Sequence, residues 1–287
     1  MKVLITGGAG ILGRKLAELF LKSGDQARVF DLPQVDYSYF DDKEGIEIVK
    51  GDIRDKDTVK TAVAGVDAIL HLAALIPPAS ERDRQFTMTI NAGGTGNLLE
   101  AAQGTASHFI LTSSVATYGD TTRDDPPVRV SHSQTALDFY AESKIESERL
   151  TKASGLSYTI FRIAPIAVPE IMDPPDVWPY KAEQRVEFIN RDDVANALFA
   201  CAYASGAKGK TLNIAGGKSW QVSGREYVTA LYEAMELEPS GAVFSDTPGW
   251  FDWYDTEESE ALLKYQKTPF PEFVAQLRKA AEEAFGW

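Results

Sequence analysis

Short apolar runs alternate along this chain with longer segments in which apolar residues recur at helical spacing. The apolar runs lie at 3–5, 27–30 and 68–74, and a further strand is predicted at 108–114. Near-continuous runs of this kind are typical of strands that are buried on both faces of a parallel sheet. The helical spacing predicts helices at 15–21, 58–64, 90–103 and 140–153. This alternation of strand and helix predicts an α/β fold with a doubly wound parallel sheet.

The pattern changes after residue 164. Prolines cluster at 165, 169, 174, 175 and 179, which indicates an irregular segment. Alternation resumes at 186–189, and further helices are predicted at 192–204, 223–235, 256–265 and 273–285. We therefore predict a sheet domain over residues 1–164 and, over 165–287, mostly a small lobe with some segments that return to the sheet. Such a lobe would cover the ligand crevice at the carboxyl edge of the sheet.

Charge and composition exclude several classes of partner. The 287 residues carry 42 acidic and 29 basic side chains, for a net charge of −13. Nucleic acids and anionic membrane surfaces would be repelled. The single cysteine, Cys201, leaves no intrachain disulfide. The first strand begins near residue 2, which leaves no room for a signal peptide, and no apolar run reaches about 18 residues. These features predict a cytoplasmic protein.

The first fourteen residues, MKVLITGGAGILGR, form the most specific stretch of the sequence. They join a predicted strand to a predicted helix through three glycines that meet different needs. Gly7 permits the sharp turn after the strand, Gly10 lets a pyrophosphate approach the backbone, and Gly13 lets the helix pack closely against the strand. The free N–H groups at the helix N-terminus would bind the phosphates. The stretch therefore predicts a dinucleotide-binding sheet of the Rossmann type.

An acidic residue, Asp31, ends the next apolar run, eighteen residues after Gly13. At this place a carboxylate accepts hydrogen bonds from the adenosine ribose hydroxyls and repels a 2′-phosphate. Asp31 therefore favours NAD over NADP as the cofactor. The alternative is an aspartate at a strand end that contacts only solvent, as most aspartates do.

Tyr140 and Lys144 lie four residues apart in a predicted helix, which places both on one helix face. A nearby ammonium favours the phenolate and so lowers the pKa of a tyrosine, which makes it a usable proton acceptor near neutral pH. Ser114 ends the preceding strand, where its hydroxyl would reach the crevice and hold the oxygen of an alcohol or ketone. An exposed pair with this spacing also occurs by chance, but the glycine motif and Ser114 favour a catalytic set. No cluster of acids and histidines suggests a metal site.

Together these motifs resemble those of the extended short-chain dehydrogenase/reductases, in the NAD-dependent epimerase/dehydratase family. The resemblance covers nearly the whole chain. It rests on the glycine motif, Asp31 and the segments 51–53, 71–74, 91–95, 112–119, 140–144 and 192–195. It implies an NAD-binding Rossmann domain over residues 1–164, a substrate-binding lobe after it, and a small-molecule substrate. It also implies a homodimer, with the helices at 91–103 and 140–153 in the interface.

The resemblance implies roles for individual residues. Tyr140 would be the general acid/base, Ser114 would orient the reacting oxygen, and Lys144 would bond the nicotinamide ribose. The implied cofactor-binding residues are Gly7, Gly10, Ile11, Leu12, Gly13, Asp31, Asp52, Ile53, Leu72, Ala73, Ala74, Asn91, Tyr140, Lys144 and Pro165. Asp52 and Ile53 would lie near the adenine.

Departures from the family pattern bear on the reaction. Val115 and Ala116 follow Ser114, where dehydratases and decarboxylases of the family carry a carboxylate, so proton abstraction beside a transient ketone has no agent. Ala164 stands where nucleotide-sugar enzymes carry an asparagine, and Arg185 is one position from the usual arginine. We predict an NAD-dependent oxidoreductase or epimerase-type enzyme that reversibly transfers a hydride at a secondary alcohol or ketone carbon of a sugar or small polyol-like substrate.

Two alternatives stay open. One is a nucleotide-sugar 4-epimerase in which other arginines supply the missing contacts, the candidates being Arg82, Arg84, Arg123 and Arg191. The other is a regulatory protein that senses NAD without turnover. The intact set of serine, tyrosine and lysine argues against the second alternative.

Overall fold

The computed structural model describes residues 1–106 and 108–286, and its central sheet has seven parallel strands. In chain order the strands are β1 Lys2–Thr6, β2 Gln26–Asp31, β3 Ile46–Lys50, β4 Ala68–His71, β5 His108–Ser114, β6 Tyr158–Ile163, β7 Ile166–Ala167, β8 Arg185–Val186, β9 Ile189–Asn190, β10 Lys210–Ile214 and β11 Val222–Ser223. The order in the central sheet is β10-β6-β5-β4-β1-β2-β3. The predicted doubly wound parallel sheet of the Rossmann type is confirmed.

Helices cover both faces of this sheet. They are α1 Ile11–Lys22, α2 Lys56–Val63, α3 Arg84–Met88, α4 Gly94–Ala101, α5 Phe139–Ala153, α6 Arg191–Tyr203, α7 Gly224–Ala234, α8 Glu257–Leu263 and α9 Phe270–Phe285. Val3 and Ile5 of β1 pack with α1 on one face, whereas Leu4 packs with α2 and α4 on the other. All three side chains are fully buried, because successive residues of a strand point to opposite faces. None of the helices in the described residues is long and apolar enough to cross a membrane.

Side-chain caps fix the starts of several helices. Asp138 accepts a hydrogen bond of 2.6 Å from the backbone nitrogen of Ala141 at the start of α5. Ser223 and Glu226 form a capping box at the start of α7. Such caps satisfy N–H groups that have no partner within the helix, so these helices begin where the sequence places a capping residue.

The segment that the sequence predicts as one helix over 90–103 begins in a π-helical turn and continues as a regular helix. α3 ends at Met88, a π-helical turn spans Thr89–Gly93, and α4 then runs to Ala101. The turn carries Asn91, whose side-chain amide binds both backbone groups of Leu75. A π-helical turn inserts one residue into a helix, and the spacing of apolar residues does not reveal a single insertion.

The sequence analysis misses strand β10. Its residues Lys210–Ile214 pair with Thr159–Ile163 and form one edge of the central sheet. α6 also packs with the sheet domain, and the rings of Phe20 in α1 and Phe199 in α6 have centroids 5.1 Å apart. These two segments beyond residue 164 thus return to the sheet. The functional division of the chain at residue 164 stays a prediction.

The lobe formed by C-terminal residues has an aromatic core. Trp220 and Tyr180 are fully buried in it. The ring centroids of Tyr180 and Phe251 are 4.8 Å apart, and Phe188 stacks on Tyr227 with centroids 4.1 Å apart. Aromatic pairs at these distances stabilise a core by more than the burial of their apolar surface alone.

Candidate active site

A cleft of about 920 Å³ runs along the carboxyl edge of the central sheet, where doubly wound folds bind their ligands. The predicted site residues in its lining are Gly7, Gly10, Ile11, Leu12, Gly13, Asp31, Asp52, Ile53, Leu72, Ala73, Ala74, Ser114, Tyr140, Lys144 and Pro165. Apart from Tyr140 and Lys144 of α5, they follow or end six of the seven strands of the sheet. The fold therefore brings together nearly all the residues that the sequence singles out.

The glycine turn between β1 and α1 is shaped by close backbone contacts. Gly7 has a φ of +67°, and a Cβ there would lie 2.9 Å from the backbone nitrogen of Ala73. A Cβ on Gly13 would lie 2.5 Å from the Cα of Gly8. At Gly10 the one neighbour of a Cβ within 4 Å would be the Gly7 carbonyl oxygen, at 3.3 Å. The open side of Gly10 leaves room for a phosphate against the backbone, so this turn fits a dinucleotide.

Two carboxylates, Asp31 and Asp52, also line the cleft and are held in place by hydrogen bonds. Asp31 accepts hydrogen bonds from the backbone nitrogens of Ala9 and Leu32, at 3.1 and 2.8 Å. Asp52 pairs with Arg54 at 2.6 Å, and this bond lowers the pKa of Asp52. Both carboxylates therefore stand at defined positions where the sequence analysis places the adenosine half of NAD.

Asn91 is the one predicted site residue outside the cleft lining. Its side-chain oxygen accepts a hydrogen bond of 2.7 Å from the backbone nitrogen of Leu75, and its nitrogen donates to the Leu75 carbonyl and the Ser143 hydroxyl. Leu75 itself lines the cleft. Asn91 thus positions a cleft-lining loop, and the structure shows no face of its side chain toward the cofactor site.

Ser114, Tyr140 and Lys144 stand together on the cleft wall although they come from two elements, β5 and α5. The Lys144 ammonium lies 5.6 Å from the centroid of the Tyr140 ring and donates a hydrogen bond of 2.8 Å to the Thr112 carbonyl oxygen. Ser114 Oγ accepts a hydrogen bond of 3.1 Å from the backbone nitrogen of Ala116. Since that bond uses only a lone pair, the Ser114 hydroxyl keeps its proton to donate.

Burial governs the proton affinities of this set. It raises the pKa of Tyr140 to about 12, although the Ser114 hydroxyl opposes the rise. It lowers the pKa of Lys144 to about 8. The net shift of the Tyr140 pKa is upward because loss of hydration destabilises the phenolate. Lys144 is not among the groups that shift this pKa, so the lowering by Lys144 that the sequence analysis predicts stays a prediction.

The sequence analysis misses two carboxylates at the start of α5. Asp138 caps the helix and lines the cleft, and burial raises its pKa. Glu81 accepts hydrogen bonds of 2.9 and 3.1 Å from the backbone nitrogens of Phe139 and Tyr140. Together they fix the helix start that carries Tyr140. An aspartate directly before a helix is a recognisable cap signal, but no local pattern connects Glu81 with a residue 59 positions away.

A buried ion pair between Glu148 and Arg162 lies behind Ser114. The two charged groups are 2.8 Å apart, with exposures of 1% and 3%, and the Ser113 hydroxyl donates a further hydrogen bond of 2.7 Å to Glu148. These bonds compensate for the lost hydration of the carboxylate. Glu148 also stands one helical turn after Lys144, whose pKa it raises against the effect of burial.

The arginines proposed for a nucleotide sugar lie elsewhere. Arg185 binds the buried Asp252, with Nη2 and Oδ2 3.0 Å apart. The predicted substitutes Arg82, Arg84, Arg123 and Arg191 do not line the cleft. Among the described residues, the cations in the lining are Arg54 and Lys144. Arg54 is thus the one arginine that the described part of the chain brings to the lining, and it is paired with Asp52.

A parallel sheet of this order, a glycine turn that opens into its carboxyl edge, and a serine, tyrosine and lysine on one cleft wall define a short-chain dehydrogenase/reductase. The chain belongs to the NAD dependent epimerase/dehydratase family, whose model matches residues 3–176. The predicted family, the NAD dependence and the prediction of an enzyme are confirmed.

Curated relatives match part of the chain. The uncharacterized protein y4nG of Sinorhizobium fredii is 29% identical over 231 residues, which are 74% of this chain and 55% of that protein. The 3β-hydroxysteroid dehydrogenase/Δ5→4-isomerase of Mycobacterium tuberculosis is 33% identical over 161 residues, 54% of this chain and 43% of the relative. The chain thus spans about half the length of the curated relatives that it matches.

Solved structures share the fold over the full chain. A short-chain dehydrogenase/reductase superfamily protein from Agrobacterium tumefaciens, with bound NAD, is 20% identical with a TM-score of 0.81 and covers 100% of this chain and 98% of its own. The dTDP-glucose 4,6-dehydratase DesIV from Streptomyces venezuelae is 22% identical with a TM-score of 0.84 and the same coverage. At these identities the likeness shows the fold alone.

Proposed function

We propose that this enzyme catalyses reversible hydride transfer at the carbon of a secondary alcohol or ketone. The observation that carries the proposal is the convergence of Ser114, Tyr140 and Lys144 on the wall of the cleft into which the glycine turn opens. When bound, NAD supplies the hydride acceptor for alcohol oxidation and, in its reduced form, the hydride donor for ketone reduction.

Tyr140 exchanges the proton of the reacting oxygen. With a pKa of about 12, it is protonated at neutral pH and donates its proton to the carbonyl oxygen as a ketone becomes an alcohol. In the oxidative direction the hydroxyl proton passes to the phenolate, which forms when Tyr140 first loses its own proton to solvent. Ser114 orients the same oxygen, because its bond to Ala116 leaves its proton to donate and its hydrogen bond with Tyr140 places the two hydroxyl groups side by side.

Lys144 supports Tyr140 by its charge and its remaining donors. An ammonium has three N–H groups, and Thr112 uses one of them. The other two remain for the hydroxyl groups of the cofactor ribose. Since the pKa of Lys144 is about 8, the ammonium is charged at neutral pH and stabilises the Tyr140 phenolate when it forms.

The surroundings of Ser114 support simple oxidation and reduction over dehydration. Val115 and Ala116 are fully buried and carry no acid, so the position next to Ser114 offers no group that removes a proton from a carbon beside the ketone. A relative that is 33% identical over 161 residues is also named a dehydrogenase, with an isomerase activity in the same name. A dehydrogenase or reductase is therefore the favoured reaction class.

A nucleotide-sugar 4-epimerase is less favoured, because the arginines described above do not face the cleft. Calorimetric titration of UDP into the NAD-saturated protein tests this alternative. Absence of binding is the result that we expect. Binding at micromolar affinity, about −8 kcal/mol, would make the epimerase the better proposal.

A screen of alcohols with NAD and of ketones with NADH, followed by nicotinamide absorbance, tests the favoured function. We expect turnover of at least one ketone and its loss in Ser114→Ala and Tyr140→Phe. Tight binding of NAD without turnover of any compound would instead support an NAD-sensing regulatory protein. A homodimer through α4 and α5 and a cytoplasmic location stay predictions, the first of which light scattering checks.

A further inference from the structure

Apolar side chains form much of the cleft lining beyond the predicted cofactor-binding residues. They include Ile76, Pro77, Ile163, Ala164, Ile166 and Trp250. Ile163 is the register partner of Ser114 in the central sheet, so this apolar wall begins directly beside the place of the reacting oxygen. A substrate whose reacting oxygen binds Ser114 therefore has hydrophobic side chains next to its remaining atoms.

Few polar side chains remain to bind the hydroxyl groups of a sugar. Ser114 and Tyr140 serve the reacting oxygen. Thr112 and Ser113 also line the cleft, but their hydroxyls donate to protein acceptors, at 2.8 and 2.7 Å. The carboxyl group of Asp138 caps α5 and disfavours a phosphate or carboxylate nearby. A sugar would lose hydration here without gaining partners, which weakens its binding.

Trp250 supplies a flat apolar surface to the cleft. Its indole stacks on Phe251, with centroids 4.3 Å apart and planes 9° from parallel, so one face is covered and the ring is held in place. Ile76 and Ile166 also line the cleft and are 58% and 42% exposed. Large apolar side chains exposed around a cleft mark the site of an apolar ligand.

We infer that the substrate is an uncharged alicyclic alcohol or ketone with a fused-ring body that packs against Trp250, Ile76 and Ile166. This inference rests on the proposed function and differs from the sugar or polyol predicted from the sequence. Each methylene group that the wall buries strengthens binding about fourfold. The catalytic efficiency should therefore rise with the apolar size of the ketone.

Three ketones test the inference when NADH oxidation by the holoenzyme is followed. They are cyclohexanone, its fused-ring relative 2-decalone, and 2-keto-myo-inositol, which carries hydroxyl groups on the same six-membered ring. We expect kcat/KM for 2-decalone to exceed that for cyclohexanone at least about tenfold and the value for the keto-inositol to be the lowest. A higher kcat/KM for the keto-inositol than for both apolar ketones would overturn the inference and leave the proposed function standing.

A binding measurement tests the substrate class independently of the proposed reaction. Calorimetry follows 2-decalone as it binds to the NADH-loaded Tyr140→Phe variant. Adding Trp250→Ala should weaken binding at least about tenfold, and adding Trp250→Phe less than about threefold. Trp253→Phe is the matched control, since Trp253 lies in the same loop but donates to the Val222 carbonyl oxygen and does not line the cleft.

The outcomes of this titration are distinct. Binding that needs Trp250, without turnover of any ketone by the wild-type enzyme, would support the substrate class and overturn the proposed function. Absence of binding, or binding that Trp250→Ala leaves unchanged, would overturn the substrate class. Thermal melting of each variant shows that it is folded.

Discussion

The Lys144 ammonium donates a hydrogen bond of 2.8 Å to the backbone carbonyl oxygen of Thr112. The bond joins α5 to β5 and holds the ammonium 5.6 Å from the centroid of the Tyr140 ring. Because this site is buried, the pKa of Lys144 falls to about 8. The charge beside Tyr140 is therefore present at neutral pH and is lost in mildly alkaline solution.

Ketone reduction should follow the protonation of Lys144. Tyr140, with a pKa of about 12, keeps its proton over the accessible range. We expect kcat/KM with NADH to be constant below about pH 7.5 and to fall about tenfold per pH unit well above pH 8, where Lys144 is neutral. Initial rates over this range check the prediction. A profile that stays flat to about pH 10 would show that the charge of Lys144 is not required.

Glu148→Gln should move this break in the pH profile to lower pH. The carboxylate raises the pKa of Lys144. Without it, nothing among the groups that shift this pKa opposes the lowering by burial. We expect the break to shift to lower pH and, because Arg162 loses its charged partner, a free energy of unfolding lower by about 3 kcal/mol. The pH profile and urea denaturation measure the two effects.

Glu146→Gln is the matched control for that change. It removes a carboxylate from the same helix that pairs with Arg149 and is not among the groups that shift the pKa of Lys144. The break should stay where it is in this variant. Equal shifts in both variants would mean that the net charge of α5, and not the buried Glu148, acts on Lys144.

Gly10→Ala should weaken cofactor binding, whereas Gly13→Ala should lower the stability of the fold. A Cβ on Gly13 would meet the Gly8 backbone at 2.5 Å, so this variant should lose about 2 kcal/mol or more of unfolding free energy. A Cβ on Gly10 meets only one atom, at 3.3 Å. Gly10→Ala should keep most of its stability and bind NADH at least about tenfold more weakly, because the methyl group occupies phosphate space. Urea denaturation and NADH fluorescence titration distinguish the two.

Asp31→Asn should reduce the preference for NAD over NADP. The amide keeps an oxygen for the Ala9 N–H bond but loses the charge that repels a 2′-phosphate. We expect the ratio of Kd values for NADPH and NADH to fall at least about tenfold. Asp52→Asn, which removes another acid from the cleft wall, should leave the ratio unchanged. An unchanged ratio in Asp31→Asn would assign the preference to other residues.

Local sequence patterns predict most of the fold and the reacting set. β1, β4 and β5 each contain three consecutive apolar residues, and the glycine turn and the Tyr140–Lys144 spacing depend on residues that are close in the chain. β10 escapes notice because only Leu212 and Ile214 of its five residues are apolar and because it lies at a sheet edge. The π-helical turn at Thr89–Gly93 escapes because one inserted residue barely changes helical spacing.

The surroundings of the site depend on contacts between distant segments and do not follow from such patterns. Trp250 reaches the cleft only because the C-terminal lobe folds back on the sheet. Asp252, which lies 67 residues later in the chain, binds Arg185, and Arg185 does not line the cleft. The pKa of Tyr140 depends on how completely the folded chain removes water from its hydroxyl group. These three features bear on the substrate and on proton transfer, and each needs the tertiary structure.

The role of Tyr140 is tested most directly by single-turnover reduction in the Tyr140→Phe variant. The NADH-loaded variant and wild type are mixed with the best ketone substrate, and nicotinamide absorbance is followed. We predict that the variant binds NADH with a Kd within about threefold of wild type, while its rate of hydride transfer falls at least about a thousandfold. Hydride transfer at the wild-type rate in Tyr140→Phe would contradict the assignment of Tyr140 as the proton donor.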